Sequence, residues 1–126
     1  MCKTINILVV DDEVDFREIF SEIIRQMGYQ VWVAQNGVEA LEVTQRIKMD
    51  IALVDFQMPG MDGIEVLRRI KKESPSTEVI LITGHESMDF VTEAVNQEAY
   101  AYITKPINFE KLENLIRSIV QTRCQS

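Results

Sequence analysis

Ile51–Gly63, IALVDFQMPGMDG, is the stretch from which the fold can be read. Ile51, Ala52, Leu53 and Val54 form a short apolar run bounded by turn signals, the pattern of a strand buried on both faces. The run ends on Asp55. A carboxylate is expensive to bury, but it is tolerated at a strand tip that faces solvent, a cation or a ligand. Met58-Pro59-Gly60 and Asp62-Gly63 then read as a turn and loop feeding a helix. Taken alone, Asp55 reads first as an ordinary loop acid. Residues of matching chemistry elsewhere in the chain change that balance.

Working outward, Ile5–Val10 is a β-branched run that stops at three consecutive acids, Asp11-Asp12-Glu13. From there the period changes. Phe16, Ile19, Phe20, Ile23, Ile24 and Met27 recur at helical spacing, and Gly28 suits the residue past the helix end. The acids suit the helix N-terminus, with Glu13 the expected cap. Tyr29–Ala34 reads as a strand at or near a sheet edge. Asn36, with Glu39 three residues on, is expected to cap a second helix that carries Val38, Leu41 and Ile47 and fades toward Lys48.

Beyond Asp55, a third helix is expected from about Ile64 to Lys72, with Ile64, Leu67 and Ile70 inward. Its terminal cluster Arg68, Arg69, Lys71 and Lys72 reads as a solvated helix end favoured by the dipole. Val79–Ile82 is a fourth buried strand, Met88, Val91, Ala94 and Val95 mark a fourth helix, and Tyr100–Thr104 is a fifth strand. Asn108 can cap a last helix whose apolar face is Phe109, Leu112, Leu115, Ile116, Ile119 and Val120. Strands alternating with helices imply βαβ crossovers, hence a parallel sheet with helices on both faces.

Composition narrows the function classes. At 126 residues with 46% hydrophobic content, the chain is expected to form one domain with one continuous core, residues 1–126 with the core at about 4–121. The net charge of −7 repels phosphate backbones and disfavours direct binding to nucleic acid. Cys2 and Cys124 lack CxxC spacing and read as free thiols in a reducing compartment. No signal-like segment or bilayer-length apolar run is present, so the cytoplasm is the expected location, with no membrane association.

In a parallel sheet, sites gather beyond the carboxyl ends of the strands. Those ends carry Asp11 and Asp12, Asp55, Thr83 and Lys105 from the first, third, fourth and fifth strands. Crowded carboxylates repel one another unless a cation neutralises them, and an all-oxygen set suits Mg²⁺ or, as a substitute, Mn²⁺. One carboxylate could then act as nucleophile toward phosphorus, with a lysine ammonium and a threonine hydroxyl on the phosphoryl oxygens. That set is the minimum apparatus for a reversible acyl phosphate.

LVVDDE at Leu8–Glu13, LVDFQMPGMDG at Leu53–Gly63, ITG at Ile82–Gly84 and YITKP at Tyr102–Pro106 together resemble the receiver domain of bacterial two-component response regulators, CheY-like proteins. The likeness runs from Lys3 to about Gln121. It implies a flavodoxin-like α/β sandwich with a five-stranded parallel sheet in order 2-1-3-4-5. It also implies a signalling switch, not an enzyme with an external substrate. Carried onto this chain, Asp55 is the phosphoacceptor, charged by a sensor histidine kinase or a histidine phosphotransfer protein. Asp12, Asp55 and the backbone carbonyl of Gln57 bind Mg²⁺, with Asp11 helping through water. Thr83 and Lys105 contact the phosphoryl group, and Thr83 with Tyr102 reports occupancy to the face built by the fourth helix, fifth strand and fifth helix. That face is expected to meet a downstream protein or effector domain.

The side chains of Gln57 and His85 stand where the family tunes the lifetime of the phosphoryl group. Pro106 fits a family pattern of a cis Lys-Pro bond, and Gly63 suits a tight bend before the third helix. More ordinary readings stand beside these. Thr83 also fits as a strand-end residue, Lys105 as a solvated lysine, Tyr102 as packing, and His85 as a rim residue.

Two positions depart from the family pattern. Glu98 and Glu86 stand where Gly is frequent, and Glu98 would be strained if its φ were positive. Three rival readings fit less well. An aspartyl-phosphate phosphatase typically carries its nucleophile after the first strand and has a cap domain. A non-phosphorylated interaction module would lack part of the acid, threonine and lysine set, and a flavin or nucleotide binder would carry a Gly-rich first loop. The cognate kinase, the output and the oligomeric state, including a homodimer, are left open by the sequence.

Overall fold

The computed structural model describes residues 4–58, 60–84, 92–94 and 96–124. Cys2, Pro59, His85, Glu86, Met88, Val91, Val95 and the side chain of Cys124 lie outside them, so the readings made on those residues do too. The strands are β1 (Asn6–Val10), β2 (Gln30–Ala34), β3 (Ile51–Asp55), β4 (Glu78–Thr83) and β5 (Ala101–Thr104). The helices are α1 (Val14–Gln26), α2 (Gly37–Arg46), α3 (Gly63–Glu73), α4 (helical at residues 92–94 and 96) and α5 (Phe109–Cys124). The strands form one sheet in order β2-β1-β3-β4-β5, and every pair is parallel.

Side chains alternate across each strand and divide the core in two. Leu8, Val10, Ala52, Val54, Val79 and Leu81 face Ala40 and Leu41 of α2, Val66, Leu67 and Ile70 of α3, and Ala94 of α4. Ile7, Val9, Ile51, Leu53, Ile80 and Ile82 face Phe20 and Ile24 of α1 and Leu112, Ile116 and Ile119 of α5. The central strands β1, β3 and β4 therefore read as nearly unbroken apolar runs, while the edge strand β2 leaves Trp32 and Val33 exposed.

The helix ends follow local chemistry. Asn36 Oδ1 accepts the Glu39 N–H at 2.9 Å, and Asn108 Oδ1 accepts that of Lys111 at 3.1 Å, both as expected. Asp62, read as a loop residue, caps α3 by accepting the Glu65 N–H at 2.9 Å. Gly28, at φ +99°, follows α1 in the left-handed region. Three of the four basic residues at the end of α3 are engaged locally. Arg68 and Arg69 pair with Glu65, and Lys71 donates to the carbonyls of Pro75 and Thr77 beyond the helix.

One expectation is corrected. Glu13 is the N-cap residue of α1, but its side chain makes no capping bond. Its own N–H instead donates to Asp11 Oδ1 at 2.9 Å. Ile19 and Val38, read among the apolar residues of their helices, are 57% and 59% exposed. The buried arc of α1 centres between Phe20 and Ile24, and at 100° per residue Ile19 falls outside it. In α2 the inward positions are Gly37, Ala40 and Leu41. A Cβ on Gly37 would come within 2.8 Å of Met61 Sδ and Val66 Cγ2, so α2 sits too close to its neighbour for a side chain there.

The condition attached to Glu98 is met: its φ is +66°. The Ala99 N–H donates to the Ala94 carbonyl at 3.0 Å, which makes Glu98 the left-handed residue of a Schellman closure.

Candidate functional site

Parallel pairing brings the strand ends to one edge of the sheet. Val10 pairs with Val54, so Asp11 and Asp55 emerge at the same level on adjacent strands. Asp55 pairs with Ile82, and Thr83 pairs with Thr104, just before Lys105. The Asp11 N–H donates to the Ala34 carbonyl at 3.1 Å, and that of Lys105 to the Thr83 carbonyl at 2.8 Å. The ladders thus extend one residue past the strands and fix the backbone of both candidate residues. Arg17 adds a bond from Nη1 to the Asp11 carbonyl at 2.9 Å.

The carboxylates of Asp11, Asp12 and Asp55 offer oxygens that all lie within 4.8 Å of one another. Asp11 and Asp55 are buried and Asp12 is exposed. Lys105 Nζ lies 3.7 Å from Asp55 Oδ1 and 4.7 Å from the centre of the Phe16 ring. The Gln57 N–H reaches Asp55 Oδ1 at 3.3 Å, and Gln57 Oε1 lies 3.9 Å from where a Cβ on Gly84 would sit, toward the end of β4. Thr83 is fully buried. Tyr102 pairs with Leu81 and shares the sheet face of Thr83, packed at the border of the α2–α3–α4 core. The Lys105–Pro106 bond is cis.

Gly63 has a different reason from the bend expected of it. A Cβ there would sit 2.6 Å from Phe56 Cα and 2.9 Å from the Asp55 carbonyl oxygen. The start of α3 presses directly on the backbone that carries the acid, and the Gly63 N–H bonds to the Phe56 carbonyl at 2.9 Å.

Burial raises the Asp11 carboxyl to about 6; the charges of Asp55 and Asp12 push the same way, against the Glu13 N–H and the Lys105 ammonium. The Asp55 carboxyl is also raised, first by burial, with Lys105 and the Gln57 N–H opposing. Two buried acids held above their ordinary range beside a third make an electron-rich, all-oxygen pocket that a hard divalent cation would relieve. The donor set therefore fits Mg²⁺.

All the strand-end residues chosen from sequence except His85, outside the described residues, thus meet at one edge, with Tyr102 further down the sheet. Two contacts escaped sequence reading. Phe16 registered only as one of the apolar residues of α1, and Arg17 did not register at all. Neither carries a signal for a contact with Lys105 or the Asp11 carbonyl.

Comparison with known proteins agrees with this geometry. The family model "Response regulator receiver domain" matches residues 7–117. The chain is 39% identical over 122 residues to the transcriptional regulatory protein ZraR of Klebsiella oxytoca, covering 96% of this chain and 28% of that protein. It is 32% identical to the sporulation initiation phosphotransferase F of Bacillus subtilis, covering 88% of this chain and 90% of that one. The response regulator protein TrrA of Thermotoga maritima, solved in complex with Mg(2+)-BeF, superposes with a TM-score of 0.83 at 32% identity, covering 92% of this chain and 99% of that one. With its five-stranded parallel sheet, its acidic strand ends and a family match over most of its length, the chain belongs to the response regulator receiver domain family.

Proposed function

We propose that the chain is a phosphorylation-dependent switch in which Asp55 accepts a phosphoryl group from a phosphohistidine on a sensor kinase or phosphotransfer protein. One observation carries this reading: three carboxylates within 4.8 Å of one another, with the Lys105 ammonium 3.7 Å from the Asp55 oxygen, at a shared sheet edge. In transfer, an Asp55 oxygen forms a bond to phosphorus as the phosphorus–nitrogen bond of the donor breaks. Lys105 and Thr83 stabilise the charge gathered on the equatorial oxygens. Asp12, Asp55 and the Gln57 carbonyl would hold Mg²⁺, with Asp11 acting through water. The bound ion would neutralise the carboxylates and the phosphoryl oxygens. In hydrolysis, water attacks phosphorus, the Asp55 oxygen leaves, and the carboxylate is regenerated with inorganic phosphate. Gln57 and His85, by their places in the sequence two residues after Asp55 and Thr83, would tune that step.

Occupancy biases an equilibrium that the domain already supports. Thr83 moves toward the phosphoryl group, and Tyr102, on the same sheet face, reports the change to the α4–β5–α5 surface, where a downstream protein, an effector domain or a second copy binds. We place this switch in the cytoplasm, as one receiver module spanning residues 1–126. Among the described residues, no helix is long and apolar enough to cross a membrane.

The test is incubation with acetyl phosphate and Mg²⁺ followed by intact-mass measurement and peptide mapping. A phosphate-sized gain, labile to hydroxylamine, is expected on Asp55 and absent in Asp55→Asn. Phosphorylation that maps elsewhere, or survives in that variant, ends this reading. Size exclusion of the same samples checks for a dimer.

A further inference from the structure

Phe16 stands in the first turn of α1 with its ring toward Lys105, whose Nζ is 4.7 Å from the ring centre and 3.7 Å from Asp55 Oδ1. The ring is itself held. Phe20, one turn on, meets it edge-on at 4.6 Å and 67°, and Phe20 meets Phe109 of α5 at 5.7 Å. Phe20 therefore braces the ring that faces the ammonium, and Phe109 braces Phe20. Phe20 is fully buried, Phe16 is half-buried, and the Lys105 side chain is 29% exposed. In such a partly dry setting, the negative face of the ring attracts the cation. A leucine would fill the same space without that attraction.

The second anchor matters because the first one changes. When Asp55 bonds to phosphorus, the oxygen that faces Lys105 is drawn into an acyl phosphate and its carboxylate charge is spent. We infer that Phe16 is a positioning residue whose ring keeps the Lys105 ammonium at the site while its partnership passes from the carboxylate to the phosphoryl oxygens. The inference rests on the phosphoacceptor reading for its consequence, but not for the contact.

The experiment compares the full chain with Phe16→Leu and Phe16→Tyr. The Lys105 side-chain resonances, assigned by their loss in Lys105→Ala, should be displaced by the ring current in the wild type and in Phe16→Tyr. They should return toward ordinary lysine values in Phe16→Leu. Phosphorylation at saturating acetyl phosphate and Mg²⁺ should slow about three- to tenfold in Phe16→Leu and stay within about twofold in Phe16→Tyr. Equal rates in the two variants, or an undisplaced Lys105 signal in the wild type, would overturn the inference. Wild-type protein that takes no phosphate would sink the phosphoacceptor reading instead, leaving the Lys105 signal to decide the contact.

Discussion

At Asp11, burial and charge act together. The native carboxyl titrates at about 6 against 3.8 in the ordinary case, so between those values the folded protein binds more protons than the unfolded chain. Stability without metal therefore falls as pH rises through this window. Asp55, also raised, pushes in the same direction. Asp11→Asn keeps an oxygen to accept the Glu13 N–H while removing the charge. In urea unfolding without metal at pH 7, it should be more stable than the wild type by about 1–3 kcal/mol, with the advantage shrinking toward pH 4. An advantage independent of pH would point to some cause other than titration. Mg²⁺ at 100 times its dissociation constant should stabilise the wild type by about 2.7 kcal/mol, and Asp11→Asn by less. Equal stabilisation would remove Asp11 from the cation's surroundings.

Between elements, two backbone positions set how helices meet strands. Glu98 closes α4 in the left-handed region at φ +66°, where a side chain is strained. Glu98→Gly relieves that strain but loosens the unfolded chain, so the net gain should be about 0.5–1 kcal/mol by urea unfolding. A loss would mean that the Glu98 side chain makes a stabilising contact greater than its strain. Gly63 is the opposite case, because its backbone is ordinary and its surroundings are tight. Gly63→Ala should be less stable by about 1–3 kcal/mol, since its methyl would press on Phe56 and the Asp55 carbonyl. It should also slow phosphorylation by displacing Asp55. Unchanged phosphorylation in the variant would show that the α3 start yields and the acid does not.

Across the whole molecule, the site occupies one end of the sheet and a structural ion pair the other. Arg123, near the end of α5, donates to the Asp50 and Ser76 carbonyls and places Nη1 3.8 Å from Asp50 Oδ1. Asp50, buried just before β3, also accepts the Asn6 N–H at 3.0 Å. The bridge joins α5 to β1, β3 and the loop before β4, far from the acids that follow Val10 and Val54. Arg123→Met should destabilise the fold by about 1–3 kcal/mol while leaving the phosphorylation rate per folded molecule unchanged. A matching loss of rate in thermally stable samples would show that the two ends are coupled.

The strand-tip site was legible because it depends on local pattern alone. Apolar runs end where charge begins, and in a parallel sheet every such ending points to the same edge, so Asp11, Asp12, Asp55, Thr83 and Lys105 could be grouped without coordinates. The caps at Asn36 and Asn108, and the conditional strain at Glu98, were legible for the same reason: each follows from neighbours a few residues away. The tertiary structure alone decided that Ile19 and Val38 face outward, that Asp11 rather than the Glu13 side chain organises the start of α1, that Gly37 and Gly63 are tight for want of space, and that Phe16 and Arg123 reach Lys105 and Asp50. These outcomes depend on how each helix is rotated and how closely it lies on the sheet, which is set by contacts between residues far apart in the chain.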